Sequence, residues 1–299
     1  MHELIAALKP YESYIRIREH EPMSHHTTFR IGGPADLFLD CASGAPLEEI
    51  IPCIRKAGVP LYVIGRGSNL LVRDEGVRGV VLCTAEMHEI TVKGSVIRAE
   101  AGASLFSLAS TALRYELTGA EFAAGIPGTL GGAVFMNAGA YGGQMADIIV
   151  RTEYLDETGK PGVVEGAAHG FGYRESIFKA HPDWTIVASE LHLAPGDPAD
   201  IREHMQDYAQ RRRDKQPLEY PSAGSTFKRP EGHFAGKLIQ DSGLMGYRVG
   251  GAQVSEKHAG FLINRDGATC ADMLALIEHV QNTVKKNFGV ELHCEVRLL

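Results

Sequence analysis

The sequence has no C-x-x-C pair, no H-E-x-x-H and no other regular grouping of its thirteen histidines with cysteine. A structural or catalytic zinc site is therefore not expected, and no metal is predicted. Its five cysteines, Cys41, Cys53, Cys83, Cys270 and Cys294, are odd in number and irregularly spaced, which fits reduced thiols and not a disulfide framework. An excess of positive charge is also missing. Thirty Lys and Arg stand against thirty-seven Asp and Glu, a net charge of −7, so neither nucleic acid nor a membrane surface is expected as a partner. The first ten residues, MHELIAALKP, lack a cationic segment followed by a long apolar run, so no secretory signal is expected and a cytoplasmic location is. No G-x-x-x-x-G-K-[ST] occurs, which excludes a P-loop, and there is no internal repeat. The longest uncharged stretch, residues 122–146, is not a membrane span, because it contains seven glycines and Pro127.

That glycine content needs a reason. Glycines packed densely among apolar residues let a backbone approach a flat or anionic ligand and present N–H groups where a Cβ would block access. Residues 122–146 therefore read either as the floor of a cofactor site or as a tight turn between buried strands. A second glycine-rich loop, Gly65-Arg66-Gly67-Ser68-Asn69-Leu70, follows the apolar run LYVI. It is not a Rossmann fingerprint, since Leu70 takes the place of the third glycine and no helix opens there. On its own it is a strand-to-strand turn or an anion-binding nest; paired with residues 122–146 it points to a large, two-part phosphate-bearing ligand.

Along the chain the pattern is α+β without a regular strand–helix alternation. Residues 1 to about 20 read as a short helix with Leu4, Ile5 and Leu8 on one face, followed by a polar connector ending in Glu21-Pro22. Residues 27–39 read as two strand-like pieces around Gly32-Gly33-Pro34. Leu47, Ile50, Ile51 and Ile54 form a helical stripe that Pro52 interrupts, so a kink or late start is expected. Residues 61–64 and 80–82 are short buried strands, 90–101 alternate like one strand, and 104–117 form a helix. Strands are expected over 148–155, 185–193 and 260–263, with a boundary among the turn formers of 194–198. A helix over 199–213 has Ile201, Met205 and Tyr208 inward. A strong amphipathic helix over 271–287 turns Met273, Leu274, Ile277, Val280, Val284 and Phe288 inward, with Thr269 as cap and Gly289 as stop. The last ten residues, VELHCEVRLL, alternate as a strand.

Several side chains have both a chemical and a plain reading. Arg174 is a surface ion-pair partner unless a ligand meets it. Ser225 is a turn hydroxyl or a proton donor, and Glu295 belongs to a solvated strand face or to a site. The run Arg211-Arg212-Arg213-Asp214-Lys215 is a helix end favoured by the dipole or a phosphate clamp.

These signals coincide with one family. TTFRIGGPADLF, VIGRGSNLLVRD, GIPGTLGGAVFMNAGAYGG, FGYRESIF, PSAGSTFKRP, AGKLIQDSGLMGYRVGGAQVSEKHAGFLIN and ELHCEVRLL stand in the order seen in the UDP-N-acetylenolpyruvoylglucosamine reductases, which the chain resembles over nearly its whole length. The FMNAGAYGG form resembles the shorter subclass, which lacks an inserted tyrosine-bearing segment. The resemblance implies an α+β fold with a vanillyl-alcohol-oxidase-type FAD domain in two subdomains, 25–85 and 86–196, after an N-terminal appendage, 1–24, and before a C-terminal substrate domain, 197–299. It implies non-covalent FAD, NADPH as reductant and a UDP-sugar enolpyruvyl ether as substrate, reduced to UDP-N-acetylmuramate for peptidoglycan. Gly65, Arg66, Gly67, Ser68, Asn69 and Leu70 would cradle the FAD pyrophosphate. Gly125, Ile126, Pro127, Gly128, Gly132, Ala133, Asn137 and Gly139 would line the flavin and its tail. Arg174 and Glu295 would polarise the enolpyruvyl carboxylate, and Ser225 would protonate C2. Lys215, Arg229 and His258 would meet the UDP diphosphate or its surroundings. An alcohol or sugar oxidase on the same scaffold and a nucleotide-sugar binding protein are the competing readings.

Overall fold

The computed structural model describes residues Met1–Leu299, in two compact units. The first comprises Met1–Glu19, Asp36–Arg66 and Arg78–Gln210; the second comprises His20–Ala35, Gly67–Val77 and Arg211–Leu299.

One sheet of four strands has the order Ile15–Pro22, Pro34–Ala42, Val77–Glu86, Leu61–Ile64. The last two pair in parallel, Leu61 opposite Val80 and Ile64 opposite Cys83. Val80, Val81 and Leu82 are wholly buried in sequence, the mark of a strand covered on both faces. The helix Leu47–Lys56 seals this core with Leu47, Ile50, Ile51 and Ile54. It starts on time and runs through Pro52. The turn at Gly159 packs against the proline ring, where an added Cβ would lie 2.7 Å from its Cδ. The N-terminal helix is short, His2–Leu8, and Ile15–Pro22 is a strand in place of the expected connector. Pro10 stops the helical run, and the IRIREHE alternation suits a strand of period two.

A second, antiparallel sheet of five strands has the order Pro161–Glu165, Ile149–Leu155, Thr185–His192, Val96–Glu100, Ile90–Lys93. The expected single strand over 90–101 is thus a hairpin, turned at Gly94 with φ +60°. Its core takes in the helices Leu105–Arg114, capped by Ser104 accepting from the Ser107 N–H at 3.0 Å, and Leu130–Met136.

In the second unit, three short strands, Arg248–Val249, Ala252–Val254 and Leu262–Asn264, share a core with the helix Cys270–Phe288. Met273, Leu276, Ile277, Val280 and Val284 are its buried stripe. Leu276 is inside, whereas Phe288 is 42% exposed against expectation, because it sits in the last turn beyond the packed face. Thr269 caps the helix reciprocally with Asp272, and Gly289 ends it with φ +71°. Asp74 adds a second cap, accepting from the N–H groups of Cys270 and Ala271 at 2.8 and 3.0 Å.

Two strand expectations are met only in part. Of the two pieces expected over 27–39 the second is a strand, Pro34–Ala42, while the residues before it are held by local bonds such as Thr27 Oγ1 donating to Ile31 O. Of the final ten residues only Arg297–Leu298 pairs in a ladder, parallel to Leu70–Leu71. Residues 293–295 bond instead to the 226–228 segment, so Leu292 and Val296 are buried while Cys294 is exposed.

All five cysteines are free. Burial pushes the Cys41 thiol up to about 12 and those of Cys83 and Cys270 up to about 11. No helix is long and apolar enough to cross a membrane.

Candidate active site

In the first unit the two glycine-rich stretches meet at one hydroxyl. A Cβ on Gly65 would lie 2.2 Å from Thr129 Oγ1, and a Cβ on Gly132 would lie 3.6 Å from the same atom. The two glycines are there for different reasons. Gly65 is required by the protein's own packing, whereas Gly132 is exposed and nothing in the protein closes on it, so its missing side chain leaves space beside Thr129. Thr129 was not singled out from sequence, because a threonine among glycines carries no pattern. Below Gly65, the Cys83 thiol donates to its carbonyl at 3.5 Å and the Thr84 hydroxyl donates to the Ile64 carbonyl at 3.3 Å, fixing the end of the strand.

Farther along the first loop, Gly67 has φ +59°, and a Cβ there would meet the His26 carbonyl oxygen at 2.0 Å. Arg66 is exposed, and Ser68 and Asn69 are half-buried. The main-chain N–H groups of Gly67 and Ser68 donate to nothing within the protein, while Leu70 donates to Gly67 O at 3.4 Å. Unspent successive N–H groups of this kind suit an anionic group such as the FAD pyrophosphate.

Residues 122–146 contain a helix that the sequence pattern concealed, Leu130–Met136. Its first N–H groups are satisfied from outside, Leu130 donating to Ala103 O at 2.9 Å and Gly131 to Ala101 O at 2.8 Å. Gly131 permits this approach, since its Cβ would stand 2.9 Å from Ala101 Cβ. Gly125, Ile126 and Gly128 are half-buried and Pro127 is exposed, which leaves them accessible to a ligand. Ala133 is a buried core residue, and Gly139 is demanded by the hairpin with Gly143, whose carbonyl oxygen a Cβ would meet at 2.6 Å. Asn137 ends the helix in the left-handed region, φ +42°, and is 2% exposed. Its Nδ2 donates to Gln144 Oε1 at 3.0 Å and Gly172 O at 2.9 Å, and its Oδ1 accepts from Ala146 N at 2.9 Å.

Arg174 sits in a tight turn closed by two bonds between Gly172 and Glu175, at 3.1 and 3.2 Å, and has φ +58°. Its guanidinium lies 5.0 Å from the centre of the exposed Tyr173 ring.

In the second unit the backbone joins Ser225 and Glu295. Glu295 N donates to Thr226 O at 2.8 Å, Lys228 N donates to His293 O at 2.8 Å, and Phe227 bridges Cys294. The Ser225 side is held in turn by its bridge to Phe261. Ser225 is exposed, and its hydroxyl makes no bond within the protein. Asn69 reaches the same place: its Nδ2 donates to Glu295 O at 3.1 Å, and its carbonyl accepts from Arg297 N at 2.9 Å. His258 is half-buried, with Nδ1 accepting from Gly260 N at 3.1 Å. Burial chiefly, and the Lys215 charge as well, hold its pKa below the ordinary histidine value, which brings these two expected residues into one neighbourhood. Arg229 is exposed, donates from Nε to His233 O at 3.3 Å and lies 4.0 Å over the Phe234 ring.

A UDP-N-acetylenolpyruvoylglucosamine reductase from Caldanaerobacter subterraneus is 47% identical over 99% of this chain and 98% of its own length. The chain belongs to the UDP-N-acetylenolpyruvoylglucosamine reductase family. One from Clostridium perfringens is 49% identical over 93% of this chain and 91% of its own. The C-terminal domain of this family matches residues 216–299, and an FAD binding domain family matches residues 35–164. The crystal structure of the UDP-N-acetylenolpyruvylglucosamine reductase from Thermus caldophilus superposes with a TM-score of 0.80 and 34% identity, covering 95% of this chain and 98% of that one. A glucose dehydrogenase, Phl p 4.0202, shares the fold at a TM-score of 0.50 and 16% identity over 66% of this chain and 44% of its own. The fold is thus the expected α+β one with a vanillyl-alcohol-oxidase-type FAD domain. The protein is an oxidoreductase with FAD as cofactor, a reductase of peptidoglycan precursor synthesis.

Proposed function

We propose that the protein reduces the enolpyruvyl ether of UDP-N-acetylglucosamine to UDP-N-acetylmuramate, with NADPH as electron source, in the cytoplasm. When bound, FAD supplies the hydride, taken from NADPH and delivered from N5 to C3 of the enolpyruvyl double bond. Gly132 fits the cofactor by the space it leaves beside Thr129, and Gly67 and Ser68 by their unspent N–H groups.

Hydride addition at C3 builds negative charge at C2 and on the carboxylate. Arg174 and Glu295 stabilise that charge, Arg174 by its cation and Glu295 by sharing a proton with the carboxylate. Ser225 gives its hydroxyl proton to C2. A serine is a weak acid, and the strongly basic enolate is what makes the transfer feasible. Lys215, His258 and Arg229 serve the UDP moiety, with His258 neutral and able to donate from Nε2 while Nδ1 accepts from Gly260 N.

The observation that carries this reading is the hydrogen bond from Glu295 N to Thr226 O, which joins the segments of acid and proton donor although seventy positions separate Ser225 from Glu295. The test is spectroscopic. Purified protein should show a flavin spectrum, bleach with NADPH, and recover its yellow colour when the UDP enolpyruvyl sugar is added without oxygen. Ser225→Ala should bleach normally and recover roughly 10²–10⁴ times more slowly. Equal slowing of both steps would make Ser225 a cofactor contact instead, and a protein that takes up no FAD would end the proposal.

A further inference from the structure

Asn137 and Lys179 both hold the turn that presents Arg174, and neither has a task in the mechanism above. Arg174 is a non-glycine residue at φ +58°, a conformation that L side chains adopt uncommonly and at a cost. The turn's closing bonds between Gly172 and Glu175 would tolerate glycine or asparagine at this position with less strain. The arginine is kept there by three ties from outside the turn. Asn137 Nδ2 donates to Gly172 O at 2.9 Å, Ser176 Oγ donates to Phe135 O at 2.8 Å, and Lys179 Nζ donates to Arg174 O at 2.9 Å. Lys179 also pairs with Glu175 Oε1 at 2.8 Å, so its ammonium spans both residues of the turn's second half.

The chemistry of Asn137 excludes a ligand contact by its side chain. A carboxamide has two N–H donors and one carbonyl oxygen, and here both donors and the oxygen are engaged by Gln144, Gly172 and Ala146 in a residue 2% exposed. Its left-handed backbone at the end of the Leu130–Met136 helix aims the amide at the turn. The same helix carries Gly132 beside Thr129. One short helix therefore borders the cofactor space at its start and anchors the Arg174 turn at its end.

We propose that Asn137 and Lys179 are positioning residues for Arg174, setting the guanidinium relative to the flavin site through the Leu130–Met136 helix. The proposal rests on the assignment of Arg174 above. Misplacement of a charge-stabilising group by about an ångström costs up to about 10²-fold in rate, so loss of either tie should slow the step that uses Arg174 and spare the one that does not.

The test uses full-length, FAD-loaded protein and stopped-flow absorbance of the two half-reactions, with Lys179→Met, Lys179→Arg, Asn137→Ser and Arg174→Ala compared. Lys179→Met and Asn137→Ser should leave the flavin spectrum and its reduction by NADPH within about twofold of the parent. Reoxidation by the UDP enolpyruvyl sugar should slow by about ten- to a hundredfold, and Lys179→Arg should restore most of it. Parental reoxidation in Lys179→Met and Asn137→Ser, with Arg174→Ala slow, would overturn the positioning role while leaving Arg174 in the site. Parental reoxidation in Arg174→Ala would overturn both. If Asn137→Ser loses FAD, Asn137 belongs to cofactor binding and its part of the proposal fails, while Lys179→Met decides the remainder at the protein surface.

Discussion

His169 contributes to stability through a proton it does not bind. It is fully buried, with Nδ1 donating to Gly166 O and Nε2 accepting from Thr152 Oγ1, both at 2.9 Å, and its ring stacks on Phe171. Burial holds its pKa below the ordinary histidine value, and the same holds for His258. Between the lowered folded value and the ordinary one near 6.5, the unfolded chain takes up more protons than the folded one. The stabilisation is therefore complete above about 6.5 and drains away as the pH falls through the folded value. Urea midpoints should drop on acidification from about pH 7.5 to 5.5, and His169→Gln should show a shallower drop. An unchanged slope would mean that His169 does not titrate in this window. This residue was invisible to sequence reasoning, since one histidine among thirteen carries no pattern. Glycines were visible, but composition could not separate Gly65, which packing requires, from Gly132, beside which the protein leaves open space.

At the scale of elements, legibility followed period and length. The Cys270–Phe288 helix showed its stripe, cap and stop in the sequence because a nineteen-residue amphipathic run leaves little ambiguity. The closing segment misled, because alternation of apolar residues signals a strand only when a partner strand runs alongside, and here residues 293–295 bond to a loop. The Leu130–Met136 helix was hidden because Gly131 and Gly132 disfavour a helix locally, and the bonds to Ala101 and Ala103 that satisfy its first N–H groups come from about thirty residues away. Asp74 is a similar long-range device. Its carboxylate satisfies two N–H groups at the start of a helix almost two hundred residues later, and Asp74→Ala should cost about 1–2 kcal/mol in denaturant titrations at pH 7. Asp74→Asn should recover part of the loss. Stability equal to the parent in both would show that Thr269 and Asp272 suffice as the cap.

Across the whole molecule, the fold class and the family were legible because seven motif blocks stand in order along the chain, although none of them alone is decisive. The way each unit is assembled was not legible. Both units draw on three separate stretches of chain, and sequence proximity says nothing about which stretches share a core. Arg174 is by sequence a plain surface arginine, and only the turn around it makes it unusual.

The distribution of thiols gives this chain a built-in label. Cys41, Cys83 and Cys270 are buried and kept protonated; the Cys294 thiol is raised by partial burial as well, but the residue is exposed and adjoins Glu295. A maleimide dye added to the native protein near neutral pH should attach first at Cys294, and denaturant should open all five sites to it, as peptide mass mapping would reveal. Fast modification of Cys41 or Cys83 would contradict the packing of the first unit. If the labelled protein still takes up substrate, the dye becomes a fluorescent reporter one residue from the proposed acid, able to follow occupancy of the site without any turnover.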